Sequence, residues 1–139
     1  MEFIQFDLDK KLDVFTFNKD SQYVGSITEE HFDGYVKREI LDNSKINKWG
    51  GTNYTPVLSA VRSKFFTGGI LGMFKKKSPP MFLMFITDGD NQDHEDFEKI
   101  LKKLRDDNIY IQMICIGGDD FRYANRIADA EPNVGFCEI

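Results

Sequence analysis

The sequence predicts an α/β fold, an open and mainly parallel sheet with helices on both faces. Three observations predict it. The apolar run Met81-Phe82-Leu83-Met84-Phe85-Ile86 ends in a polar cluster, Thr87-Asp88-Gly89-Asp90-Asn91-Gln92-Asp93. A second apolar run, Ile109 to Ile116, closes on Gly117-Gly118. Between and after these runs, apolar residues recur at helical spacing. Strands alternating with helical segments are the pattern of a parallel sheet.

Taken in order, Leu12 to Phe17 alternates and then runs apolar, which reads as a strand. Asn18-Lys19-Asp20-Ser21 supplies turn chemistry, and Tyr23 to Ile27 returns as the second arm of a hairpin. Thr28 is placed to cap a helix, with Glu29 and Glu30 in its first turn and Phe32, Tyr35, Val36 and Ile40 at helical spacing. Asp42-Asn43-Ser44 is a loop. After Gly50-Gly51, Thr52 is placed to cap a second helix, with Pro56 in its opening turn, where a missing amide donor costs little. Val57, Leu58, Val61 and Phe65 make its stripe, and Gly68-Gly69 ends it.

Ile70 to Pro80 reads as an exposed connection. Its three lysines beside apolar residues also suit an anionic membrane or a protein, although a solvated loop explains them more simply. Met81 to Thr87 reads as a strand buried on both faces, with Phe85 in the core. From His94 or Glu95, residues Phe97, Ile100, Leu101 and Leu104 recur at helical spacing, with Lys99, Lys102, Lys103 and Arg105 outside. A helix from Phe121 to Ala130 and a short strand, Val134 to Cys137, follow.

Residues 1–139 fit one domain, and thirteen Phe can fill its core. A net charge of −5 does not argue for nucleic acid. Cys115 and Cys137 lie in apolar runs, the usual place for buried free thiols. With no leader pattern and no apolar stretch long enough to span a bilayer, the expectation is a cytoplasmic protein.

Asp88 would sit at a strand's carboxyl end, where open α/β sheets bind ligands. With the Thr52 hydroxyl it would suit a hard divalent cation such as Mg²⁺. The plainer alternative is that Thr52 and Asp88 merely cap a helix and a turn. Asp88, Asp90 and Asp93 could instead form a carboxylate site for acid/base chemistry, as in a metal-dependent phosphoester hydrolase. No Lys, Ser or Cys nucleophile with a His partner accompanies them, and His31 and His94 lack a context marking them as base or ligand. Gly117-Gly118-Asp119-Asp120 lacks the spaced glycines and lysine of a phosphate loop.

Gly51-Thr52-Asn53-Tyr54 with Pro56, Thr87-Asp88-Gly89-Asp90-Asn91 and Ile116-Gly117-Gly118 together resemble the von Willebrand factor A domain of the bacterial tellurium-resistance type. The resemblance runs from about Leu12 to the C-terminus, with Phe32 to Ile40 in place of the family's tyrosine-rich helix. It implies a non-enzymatic, stress-related protein-binding module with a metal ion-dependent adhesion site. A bound cation there completes its coordination sphere with a partner's acidic side chain. Thr52 and Asp88 match two of the family's metal loops. The first loop, Asp-x-Ser-x-Ser, is not in this sequence, and Met1 to Asp7 resembles the tail of the helix that follows it. The expectation is an A domain incomplete at its N-terminus, with a partial and weak site, or a structural remnant without one. A missing central strand would leave open edges beside Leu12–Phe17 and Met81–Thr87. Closure by direct pairing, a strand from another protein, or a homo-oligomer through the edges would each satisfy them.

Overall fold

The computed structural model describes residues 10–66 and 80–139. The expected connection at Ile70 to Lys77 and the expected helix end at Gly68-Gly69 lie outside the described residues. Strands β1 (Lys11–Phe17) and β2 (Ser21–Thr28) form an antiparallel hairpin. Its register shifts after Val14, which faces Gly25, so that Phe15 faces Tyr23 and Val24 bulges out. Helix α1 (Thr55–Phe66) follows, then β3 (Met81–Thr87), α2 (His94–Asp106), β4 (Ile109–Cys115), α3 (Arg122–Ala130) and β5 (Val134–Glu138). The last three strands form a parallel sheet in the order β3-β4-β5. Each strand of that sheet is followed or preceded by a helix that returns the chain to the same end, as parallel pairing requires.

The core lies against one face of this sheet. Phe85 of β3, Ile109, Ile111, Met113 and Cys115 of β4, and Val134 of β5 meet Val57 and Leu58 of α1. Phe97, Ile100, Leu101 and Leu104 of α2 close over them, as their spacing foretold, and so do Tyr123, Ala124 and Ile127 of α3. Arg62 of α1 pairs with the nearly buried Asp107 just after α2, tying the two helices together.

The structure corrects several expectations. β3 is buried on one face only, and Phe82, Met84 and Ile86 are exposed on the other. An unbroken apolar run reports what a strand could bury, whereas the cover over each face is set by distant segments. Among the described residues, none covers that face. The helix expected from Thr28 is only a π-helical turn, Val36–Leu41. The Thr28 hydroxyl meets His31 Nδ1 at 3.1 Å instead of capping a helix, and Phe32 and Val36 are exposed. Tyr35 alone of that stripe is buried, over the space that Gly25 leaves free. Phe65, expected on the apolar stripe of α1, is exposed. Both cysteines are free, but Cys137 is exposed.

β1 and β3 lie in separate sheets and are not paired among the described residues. Direct closure of the expected gap is therefore not what the structure shows. What joins the two sheets is aromatic. Phe17 stacks on Phe85 with centroids 4.8 Å apart, and Tyr54 meets Phe85 edge-on at 4.8 Å and Phe97 at 5.2 Å.

Candidate functional site

Three segments converge at the carboxyl end of β3. They are the loop before α1, the β3–α2 loop and the β4–α3 loop. Thr52 does not cap α1. Its carbonyl accepts from Gln92 N at 2.9 Å, which docks the loop before α1 on the β3–α2 loop. The approach is so close that a Cβ on Gly51 would lie 2.7 Å from Gln92 Oε1. A side chain at position 51 would displace the flexible end of Gln92.

The N-terminus of α1 is capped from the other loop. Asp93 Oδ1 accepts from Tyr54 N at 3.0 Å and Oδ2 from Thr55 N at 2.8 Å. Asn91 Nδ2 donates to Asp93 Oδ1 at 2.8 Å. Partial burial would raise the Asp93 carboxyl, but hydrogen bonds from Thr55, Asn91 and the Tyr54 amide outweigh it and hold the group below the usual carboxylate range. A carboxylate facing the amides of a helix start is also favoured by the helix dipole.

Tyr54 is fully buried between the loops. Its hydroxyl donates to the Gly89 carbonyl at 2.6 Å and lies 3.3 Å from Thr87 Oγ1. Burial drives its pKa well above the ordinary phenol value, so it stays a neutral donor. Gly89 is thereby fixed beneath Thr52. The position of a Cβ on Gly89 would be 3.9 Å from Thr52 Oγ1 and 3.3 Å from Asp119 Oδ2. The Thr52 hydroxyl and the Asp119 carboxylate thus flank one glycine. Asp119 Oδ2 also accepts from Asp90 N at 3.3 Å.

Of the carboxylates singled out from the sequence, Asp88 is exposed at the end of β3 and makes no hydrogen bond or ion pair among the described residues. It fits neither the turn-cap reading nor a buried role. Asp90 Oδ1 accepts from Asn91 N, and its Oδ2 lies 3.3 Å from His94 Nε2. Asp93 faces α1. Asp90 and Asp93 are thus turned to different partners, and Asp88 has none among the described residues. His94 stacks flat on Tyr123 at 3.5 Å. His31 sits beside Thr28, far along the chain from these loops.

The donors present give a cation site only partial support. Thr52 and Asp88 are oxygen donors at one end of the sheet, with Asp119 beside Thr52 as a third that the sequence reading did not single out. Octahedral Mg²⁺ takes about six oxygens. No group of three or more His, Cys, Asp or Glu suited to a metal occurs among the described residues. No helix among them is long and apolar enough to cross a membrane.

Comparison with known proteins bears on the family and the fold. Residues 3–136 match the family described as vWA-TerF-like, the A domain found in the TerF C terminus. The uncharacterized protein YcbR of Bacillus subtilis (strain 168) is 30% identical over 130 residues, covering 94% of this chain and 50% of YcbR. The chain therefore spans about half the length of that relative. Among solved structures, proximal thread matrix protein 1 from the mussel byssus, with a zinc-occupied MIDAS motif, superposes with a TM-score of 0.56 at 20% identity. The match covers 91% of this chain and 30% of that one. A second crystal form of the same protein gives a TM-score of 0.56 at 19% identity. These structures show the shared fold, and the family match over nearly the whole sequence shows that the chain belongs to the von Willebrand factor A domains of the TerF-like type.

Proposed function

We propose that this chain is a non-enzymatic protein-binding module of the tellurium- and stress-resistance class, binding its partner at the loop end of β3. The observation that carries this reading is the joining of the Thr52 loop to the Thr87-Asp88-Gly89 loop through Gln92, Asp93 and Tyr54. That joining sets a hydroxyl and an unpartnered carboxylate at one rim. Thr52 and Asp88 would hold Mg²⁺ or another divalent cation weakly, with water and a partner's carboxylate filling the remaining positions. The free thiols Cys115 and Cys137 suit a reducing compartment, which supports a cytoplasmic setting.

The test is a Mn²⁺ titration of the chain with and without a glutamate-bearing peptide. Cation and peptide should each strengthen binding of the other, and Asp88→Ala should remove the coupling. Absence of coupling rejects the reading. Submicromolar affinity for Mg²⁺ alone, lost in Asp88→Ala, would instead reveal a complete site. Phosphatase activity abolished by Asp90→Ala would return the hydrolase alternative.

The same module associates with itself through strand edges. The support is that β1 and β3 each carry a backbone edge without a strand partner among the described residues, and such edges invite pairing between chains. Light scattering decides this part. A mass that grows with concentration is expected, and a clean monomer throughout rejects it.

A further inference from the structure

The sheet β3-β4-β5 has two faces, and the core takes one of them. Side chains alternate along a strand, so residues paired across the parallel sheet share a face. The row Phe85, Met113 and Phe136 belongs to the core side. On the other side Phe82 pairs with Tyr110, Met84 with Gln112, and Ile86 with Ile114. Strand β5 adds Gly135 beside Gln112 and Cys137 beside Ile114. Phe82 is 60% exposed, Ile86 50% and Tyr110 47%. The Gln112 amide, at the centre of this face, is folded flat. Its Nε2 donates to the Met113 carbonyl at 3.2 Å, and its Oε1 lies against Gly135 where a Cβ would stand. The face is therefore tall and apolar over β3 and low over β4 and β5.

Helices α1, α2 and α3 all place their apolar residues in the core, so none of them is left to cover these rows. Parallel sheets occur almost only with helices over both faces. A contiguous apolar patch of a few hundred Å² marks a binding surface. Its dimensions say what fits. Three strands about 4.8 Å apart and seven residues of about 3.3 Å give roughly 14 by 23 Å. One α-helix, about 10–12 Å across and about four turns long, matches that footprint. A second copy of the same face offers only about 320 Å² to it, against the roughly 800 Å² that a stable pair buries on each partner. The net charge of −5 disfavours an anionic bilayer as the occupant.

We propose that this face docks an amphipathic helix of a partner protein, about 15 residues long and lying along the strands. Its apolar side chains, spaced i, i+3, i+4 and i+7, sit over the low strip of β4 and β5 and against the wall of Phe82, Met84 and Ile86. The contact is small and of the weak, reversible class. It is a second surface, separate from the loop rim at Thr52, and it does not rest on the function proposed above. Strand pairing at the edge of β3 leaves it as exposed as before.

The experiment selects displayed peptides of about 18 residues, randomised on a helical scaffold, against the folded chain. Enrichment of apolar residues at i, i+3, i+4 and i+7 is expected. A winning peptide should gain helical circular dichroism on binding, and a proline at its centre should abolish binding. Phe82→Thr with Ile86→Thr should weaken binding about tenfold or more, and so should Met84→Lys alone. These side chains are exposed and threonine suits a strand, so the urea midpoint of the double variant should stay near that of wild type. Chelator and Asp88→Ala should leave this binding unchanged. Loss through either would move the peptide to the loop rim and overturn the proposal. No enrichment, tolerance of the central proline, or unchanged binding in the variants would overturn it as well. Three further results give the face to another occupant and reject a partner helix. They are peptide binding that appears only when residues 1–9 are removed, self-association lost in the Phe82→Thr, Ile86→Thr variant, and vesicle binding lost in the same variant.

Discussion

The hairpin and the parallel sheet are held in different ways. In β3-β4-β5, five of the residues facing the core are at or near complete burial, including Ile109, Met113 and Cys115. No residue of β1 or β2 is buried to that degree. The hairpin is fastened by Phe17 on Phe85, by the Asn53 amide on the Asn18 carbonyl, and by contacts with α1. Apolar burial scales with area, so the sheet side carries most of the stability and the hairpin borrows it through few contacts.

Phe85 is where the comparison breaks most completely, because it serves both regions. Phe85→Ala should cost about 3–5 kcal/mol, out of the roughly 5–15 that hold a domain together, and leave the protein insoluble or molten. A urea melt showing a loss under about 1 kcal/mol would refute its place at the junction. Phe17→Ala should cost about 2 kcal/mol, since this ring is only partly buried. Hydrogen exchange sharpens the point. Amides of β1 and β2 should lose protection while those of β4 keep theirs, and equal loss in both would show one cooperative unit.

Asp93→Ala should cost about 1–2 kcal/mol by uncapping α1. The pH dependence has a definite sign. The folded carboxyl is held below its unfolded value, so its contribution is complete above the unfolded pKa of about 4 and is lost as pH falls through the folded one. Wild type should lose stability into acid more steeply than Asp93→Ala, and parallel curves would contradict the cap. The smallest effect is chemical. Burial pushes the Cys115 thiol up to about 11, with Glu138 and Cys137 adding to it. A thiol reagent should modify Cys137 quickly and Cys115 only on unfolding.

Helix α2 and strand β4 were legible in the sequence because their periodicity is local, and the loop Thr87-Asp88-Gly89 was legible from strand-end chemistry. What escaped depends on distant partners. Nothing near Asp93 announces that its carboxylate serves amides at Tyr54 and Thr55, and nothing near Tyr54 announces a bond to Gly89. Asp119 reaches the Thr52 rim only because β4 lies beside β3. The stripe at Phe32, Tyr35 and Val36 had helical spacing without a surface to bury it, and only Tyr35 found one, over Gly25. The exposed face of β3 misled for the reason opposite to a missing signal. Its residues are all apolar, so alternation could not mark which side faces the core.

The cap from Asp93 to α1 has a consequence for the order of events during synthesis. Helix α1 leaves the ribosome well before residue 93, and its first amides have no carboxylate to meet until the β3–α2 loop has followed. An uncapped helix of this length is marginal in water. Bringing Asp93 back across that span also carries a loop-closure cost that must be met before the bond forms. The start of α1 therefore has its cap only after residue 93 has been made and the β3–α2 loop has docked. The rim that carries Thr52 and Asp88 needs more of the chain still, because β3 has its strand partner only when β4, which follows α2, has been made.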